Sequence, residues 1–299
     1  MAYQHCFQVH HPRRPHLDAG LDSVSMLRVM SWNMGHRPEH WAHVLSSGAD
    51  VALLQEAPLP PSELEGSIDV GPEPFVTAGT ERRPWRTAIV GLTDRAILAR
   101  IPSVPLANSA AGGFAVSRPG TLSAARVVDP SDGAQYTLVS MYSPWERPHA
   151  STGSNWIFAD ASAHRLVSDI SVFVGQQGRH RIVVAGDLNC LHGHGEDGSA
   201  YWAARYRTVF DRMRAIGLDL MGPQSPNGRQ ADPWPTELPR DSRNVPTFHS
   251  NRQRPATATR QLDFVFASTC LHDSIEVHAM NNPETWGPSD HCRISIALG

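Results

Sequence analysis

The chain contains no lysine: all 26 basic residues are arginine. This excludes a lysine nucleophile, Schiff-base chemistry and a P-loop with its phosphate-binding lysine. Cysteine is scarce as well. Cys6, Cys190, Cys270 and Cys292 lie far apart with no C-x-x-C pair. That argues against a zinc ribbon or a disulfide scaffold and suits a reducing cytoplasm. No apolar run approaches the roughly 18 residues of a membrane span. The first twenty residues hold four histidines, two arginines and no apolar block, unlike a secretory signal.

What is present is 299 residues, 40% of them hydrophobic, which suffices for one large domain or two small ones. Charged residues make up 18% and the net charge is −3, against wholesale disorder. A pI near 6.6 argues against a protein that coats nucleic acid non-specifically. The charge is unevenly spread. Residues 201–260 carry ten arginines against five acids, and the rest of the chain sixteen against twenty-four. The basic segment either steers a phosphate-bearing ligand or consists of solvated surface arginines.

Residues 1–25 are polar and aperiodic and are expected to form a flexible tail, with His10, His11 and His16 solvated rather than metal-bound. Strands are expected at Leu27–Trp32, Val51–Gln55, Thr87–Leu92, Thr121–Val128, Tyr136–Tyr142, Arg181–Ala185, Leu262–Ala267 and Arg293–Leu298, short apolar runs bounded by Gly, Pro, Asn or Asp. Helical spacing appears in His40–Ser47 (Trp41, Val44, Leu45), Ala159–Gly175 (Leu166, Ile170, Phe173) and Trp202–Ile216 (Trp202, Tyr206, Val209, Phe210, Met213). The alternation indicates a layered α/β domain over residues 26–299. Residues 222–261 read as one long loop.

Several strands adjoin polar residues: Ser31-Trp32-Asn33, Leu54-Gln55-Glu56, Gly186-Asp187-Leu188-Asn189 and Ser289-Asp290-His291. Strand ends in a layered α/β protein can gather on one rim, so Asn33, Glu56, Asp187, Asn189, Asp290 and His291 can converge. The set is rich in oxygen, with one imidazole and no thiolate, and suits Mg²⁺ or Mn²⁺ better than zinc. Taken singly, each of these motifs is also an ordinary turn or loop sequence.

Together with Gln261-Leu262-Asp263-Phe264-Val265-Phe266, and in this order over residues 27–298, the motifs resemble those of the endonuclease/exonuclease/phosphatase superfamily, the DNase I-like metal-dependent phosphodiesterases. The resemblance implies a four-layered α/β sandwich, with two packed mixed β-sheets flanked by helices. It implies Glu56 as a metal ligand, with Asn33 and Asp290 as ligands or close supports. Asp187 would activate the attacking water, and Asn189 would bond the nucleophile or the phosphoryl oxygens. His291 would donate to a phosphoryl oxygen, Asp263 would orient its ring, and Tyr142 would touch the phosphate. Ser143-Pro144-Trp145 departs from the Asn that apurinic-site enzymes place after this Tyr, and from the His-Leu pair of deadenylases and tyrosyl-DNA phosphodiesterases.

The resulting expectation is a nuclease cleaving DNA or RNA with Mg²⁺ or Mn²⁺. The alternatives are a phosphatase or phosphodiesterase for a small or lipid phosphoester, and a catalytically silent binding module, which an intact polar set opposes. His192 and His194 either touch phosphate or a second metal, or are exposed loop residues. Trp145, Trp156 and Trp286 either stack on bases or pack in the core or in loops. Cys190 and Cys292 are expected to be buried core thiols.

Overall fold

Side-chain alternation along the strands builds three apolar layers, and these define the architecture of the computed structural model. It describes residues 26–64, 66–77, 84–106, 113–175 and 180–299. The expected tail and its histidines lie outside the described residues.

The elements run β1 (Leu27–Asn33), α1 (Trp41–Leu45), β2 (Val51–Pro58), β3 (Trp85–Gly91), β4 (Ile97–Ile101), β5 (Ser103–Pro105), β6 (Phe114–Val116), β7 (Leu122–Val128), β8 (Gln135–Tyr142), α2 (Asp160–Ile170), β9 (Ile182–Asp187), α3 (Ala200–Ala215), β10 (Leu218–Gly222), β11 (Asp263–Ser268), β12 (Ile275–Ala279) and β13 (Ile294–Leu298). One sheet has the order β12-β13-β1-β2-β3 and the other β10-β11-β9-β8-β7-β4, with β5 and β6 as a small separate pair. Both large sheets are mixed: β1 and β2 are parallel, as are β8 and β9, among antiparallel neighbours.

Odd-numbered residues of β1 and β2, such as Leu27, Val29, Val51 and Leu53, face inward. They meet Leu138, Val183, Ala185 and Val265 of the second sheet in the central layer. Even-numbered neighbours face outward. Met30, Trp32, Ala52 and Leu54 pack under Trp41 and Val44 of α1. Val139, Val184, Phe264 and Phe266 pack under Leu166 and Ile170 of α2 and Tyr206, Val209 and Met213 of α3. Helix, sheet, sheet and helix thus stack as the expected four-layered α/β sandwich. Among the described residues, no helix is long and apolar enough to cross a membrane.

Three local expectations need correction. The helix expected at His40–Ser47 is one 3-10 turn plus five α-helical residues, and Leu45 is 45% exposed rather than on the packed face. The helix expected to reach Gly175 stops at Ile170 and passes into a 3-10 turn. Strands β4, β5, β6, β10 and β12 were not expected. They are three to five residues long, and β4 has no buried residue from which to read a period.

Candidate active site

The inward parity that fills the central layer also places the polar residues. Continued to the strand ends, it points Asn33 of β1, Tyr142 of β8, Asp187 of β9 and Asp263 of β11 into the mouth between the sheets. Ladder pairing sets the second sheet's members side by side, since Tyr142 and Asp263 are both register partners of Asp187. Beneath them, Gln55 spans the gap between the sheets. Its Nε2 donates to Ser31 Oγ at 3.3 Å and to Ser140 Oγ at 2.9 Å. The neighbouring Gly186 has φ +151°, and a Cβ there would sit 1.9 Å from the Met141 carbonyl oxygen. Only glycine lets β8 and β9 approach closely enough to align Tyr142 with Asp187.

Glu56 leaves the strand pattern. The register of β2 against β3 shifts between Leu54 and Ala57, and Glu56 has φ +47°. This bulge re-aims the carboxylate out of the pleat. The turn after β1 meets it there: Met34 N–H donates to Gln55 O, His36 N–H to Glu56 O, and His36 Nε2 lies 2.5 Å from Glu56 Oε2. Asp290 closes the turn's other side, its Oδ1 lying 3.4 Å from where a Gly35 Cβ would be.

The hydrogen bonds link both sheets into one polar set. Asn33 Nδ2 donates to Asp187 Oδ2 at 3.0 Å. Asn189, at φ +49°, donates its backbone N–H to Asp187 Oδ1 and its Nδ2 to Ser143 O. His291 Nδ1 lies 2.8 Å from Asp263 Oδ2, and its Nε2 lies 3.8 Å from Asp187 Oδ2. The Asp290-His291 segment is pinned in turn. Trp32 Nε1 donates to His291 O, Ser289 Oγ donates to Asn33 O, and the Phe248 ring lies 4.9 Å from the imidazole.

Electrostatics follow from burial and this crowding. Burial alone would lower the His291 pKa, but Asp263 and Asp187 outweigh it and hold the ring at about 10. It is therefore a cation at neutral pH. Burial, with the Asp263 and Glu56 charges adding to it, pushes Asp187 well above the usual carboxylate range against the pull of His291. Burial would also raise Glu56, but His36 and the Tyr142 hydroxyl, which donates to it, keep it below its ordinary value. Tyr142 is driven up by burial and by the charges of Glu56 and Asp187, so it stays a neutral donor.

All eight expected site residues thus fall at this mouth or on the turns that close it. Asn33, Tyr142, Asp187, Asn189, Asp263 and His291 are buried, whereas Asp290 is exposed and Glu56 half-buried. His36 was missed in the sequence, where nothing marks a histidine after Gly35 as left-handed and turned onto Glu56. Other open readings resolve. Trp286 is fully buried, donating to Ser289 O, and takes the packing alternative rather than the rim. His194 is buried rather than exposed, with Nδ1 3.2 Å from His192 O. His192 pairs with Asn244 and packs on Phe210. Cys190 and Cys292 are buried, as expected.

Four carboxylates gather here against the His291 cation and the His36 imidazole. A phosphate-bearing ligand would add negative charge, so the donor chemistry fits a hard divalent cation. Among the described residues, no three His, Cys, Asp or Glu are arranged to close around an ion. A cation would therefore rest on Glu56 with amide oxygen, Asp290 and water.

The fold is shared with known enzymes. An AP endonuclease from Leishmania major superposes with a TM-score of 0.58 at 16% identity, covering 97% of this chain and 92% of its own. An AP endonuclease from Archaeoglobus fulgidus gives 0.57 at 16% identity, with 91% and 99% covered. The human Nocturnin catalytic domain gives 0.51 at 14% identity, with 92% and 93% covered. No curated protein matches the chain by sequence. The sequence matches the profile of the Endonuclease/Exonuclease/phosphatase family across residues 30–291, and the chain therefore belongs to that family of phosphoester hydrolases.

Proposed function

We propose that the protein is a divalent-metal-dependent phosphodiester hydrolase, a nuclease that cleaves DNA or RNA. The observation that carries this reading is the chain Asp263–His291–Asp187, with contacts of 2.8 and 3.8 Å, set beside Glu56 at the same mouth. It sets a proton acceptor and an imidazole donor beside a carboxylate that would hold the metal.

Glu56, with Asn33 and Asp290, would hold Mg²⁺ or Mn²⁺, which when bound would neutralise charge on the phosphoryl oxygens. Asp187, anchored by Asn33 and by the Asn189 backbone, would take a proton from water. The water oxygen would form the new P–O bond while the opposite P–O bond breaks. The departing oxygen would then be protonated, giving a phosphomonoester and an alcohol. The raised proton affinity of Asp187 suits a general base. His291 would donate Nε2–H to a phosphoryl oxygen as charge builds, its ring held by Asp263. Asn189 and the neutral Tyr142 hydroxyl would supply further donors to the same oxygens.

The relatives support nucleic acid as the substrate: AP endonucleases are among them, and one neighbour is described as a 3' phosphatase bound to product DNA hairpin. The test is a substrate panel with Mg²⁺, Mn²⁺ and chelator. It comprises plasmid, single-stranded DNA, RNA, small phosphomonoesters and diesters, and a lipid phosphoester. Metal-dependent cleavage of nucleic acid is expected. Turnover confined to small or lipid phosphoesters would overturn the nuclease reading and favour the phosphatase alternative.

A further inference from the structure

Resting on that nuclease reading, we infer that the loop over residues 143–158, together with the start of α3, is a stacking platform for unpaired bases of the strand held at the site. The loop leaves β8 directly after Tyr142 and is closed by two backbone hydrogen bonds between Glu146 and Phe158, of 2.6 and 3.0 Å. Its base is bolted to the site. Ser143 N–H donates to Asp187 O, Ser143 Oγ donates to Ala159 O, and Ser143 O accepts from Asn189 Nδ2 at 3.1 Å. Trp145 is three residues from Tyr142, within roughly 10 Å of chain. The Glu146–Phe158 pairing brings the other end of the loop back to the same base, with Trp156 two residues from Phe158.

The loop presents aromatic faces. Trp145 and Trp156 are 37% and 40% exposed. Trp156 is not loose: it stacks on Trp202 of α3, with ring centroids 5.3 Å apart and planes at 21°. The Arg205 guanidinium braces the cluster, 4.7 Å from the Trp202 ring centre and 4.9 Å from that of Phe158, and is itself locked onto Asp160 at 2.8 and 3.0 Å. A tryptophan held flat with one face open costs little entropy to dock against, and every base offers a matching face.

Charge selects the occupant. Residues 143–165 and 200–215 hold six arginines against three acids in a chain of net charge −3. The acids nearest the aromatics are spoken for: Glu146 by Arg165 and Ser162, Asp160 by Arg205. Arg147 and Arg207 are exposed, and among the described residues neither has a salt-bridge partner, so both are available to backbone phosphates. A membrane surface fits poorly, because Ser151, Thr152, Ser154 and Asn155 lie between the two tryptophans and would be buried with them.

The experiment compares wild type with Trp156→Ala, Trp156→Phe and Arg147→Gln in the full chain. Labelled single-stranded and fully paired oligonucleotides are used for both cleavage and binding, the latter by anisotropy in chelator. Trp156→Ala should weaken single-strand binding about 5- to 100-fold, with little effect on the duplex or on turnover of bis(4-nitrophenyl) phosphate. Trp156→Phe should restore most of the loss, and Arg147→Gln should lower the salt slope by about one unit on a log scale. Equal affinity of wild type and Trp156→Ala for the single strand would overturn the platform while leaving a cleaving enzyme's nuclease assignment intact. Trp156-dependent binding without cleavage of either oligonucleotide would support the platform and remove the nuclease reading. Binding to phosphatidylcholine vesicles that Trp156→Ala abolishes would overturn the platform in favour of a membrane contact.

Discussion

Replacing Asp263 with asparagine probes the chain Asp263–His291–Asp187 without emptying it. The amide keeps the shape of the partner at 2.8 Å from Nδ1 but removes its charge. Asp263, Asp187 and, more weakly, Asp290 hold His291 at about 10, and after the change Asp187, 3.8 Å from Nε2, and Asp290 remain. One adjacent opposite charge typically moves a pKa by about 1–3 units. The group's pKa is raised in the native state, so its cationic form is present at low pH and lost as pH climbs through that value. The wild-type enzyme should therefore keep its cationic donor well above neutral pH. In Asp263→Asn the alkaline limb of kcat should move down by about 1–3 units, while KM changes little. His291→Ala removes the donor altogether and should cost about 10²–10³ in kcat. Because Asp263 acts through the ring, the double variant should be no slower than His291→Ala alone. The assay is steady-state hydrolysis from pH 6 to 10.5 with saturating metal. An unmoved alkaline limb, or a double variant slowed by the product of the single effects, would refute the coupling and leave Asp263 as a structural strand end.

Three further outcomes are expected. Chelator should abolish activity and Mg²⁺ or Mn²⁺ restore it, and Glu56→Gln should weaken metal affinity in calorimetry at unchanged Tm; full activity in chelator would sink the metal assignment. Gly186→Ala should destabilise the fold by about 3 kcal/mol, the upper end of overpacking costs, in urea unfolding, since its Cβ would overlap the Met141 carbonyl at 1.9 Å. Asp50 is buried, but bonds from Arg28 and Thr93 outweigh that burial and keep its pKa below normal. Its stabilisation is thus present above an unfolded value of about 3.9 and lost as pH falls through the native one. Asp50→Asn should accordingly cost about 1–3 kcal/mol at pH 7, and the cost should shrink steadily as pH falls below about 3.9.

The strands that carry chemistry were readable because they are central. Those of β1, β2, β8, β9 and β11 are buried on both faces, and their apolar runs end in polar residues at the mouth. The strands that were missed are peripheral or very short, and β12, although it alternates buried and exposed residues, spans only Ile275–Ala279. Conformational choices were equally hidden. Glu56 and His36 take positive φ without glycine, a strain imposed by packing that no local pattern announces. His194 was expected on an exposed loop because Gly193 and Gly195 flank it, yet the fold buries it.

Gln55 and the serines around it have a consequence for how the site comes into being. Glu56 and Asn33 ride on one sheet, Tyr142, Asp187 and Asp263 on the other, and neither half holds a complete reaction centre. The distance across the mouth is the spacing of the sandwich itself, about 10 Å between sheets, and the Gln55 strut works like the jaw of a caliper set to that gap. A substitution in the central layer that wedges or slides the sheets would misalign the two half-sites without touching either. Catalysis thereby reports docking of the sheets, and during refolding activity should return only when the last layer has closed.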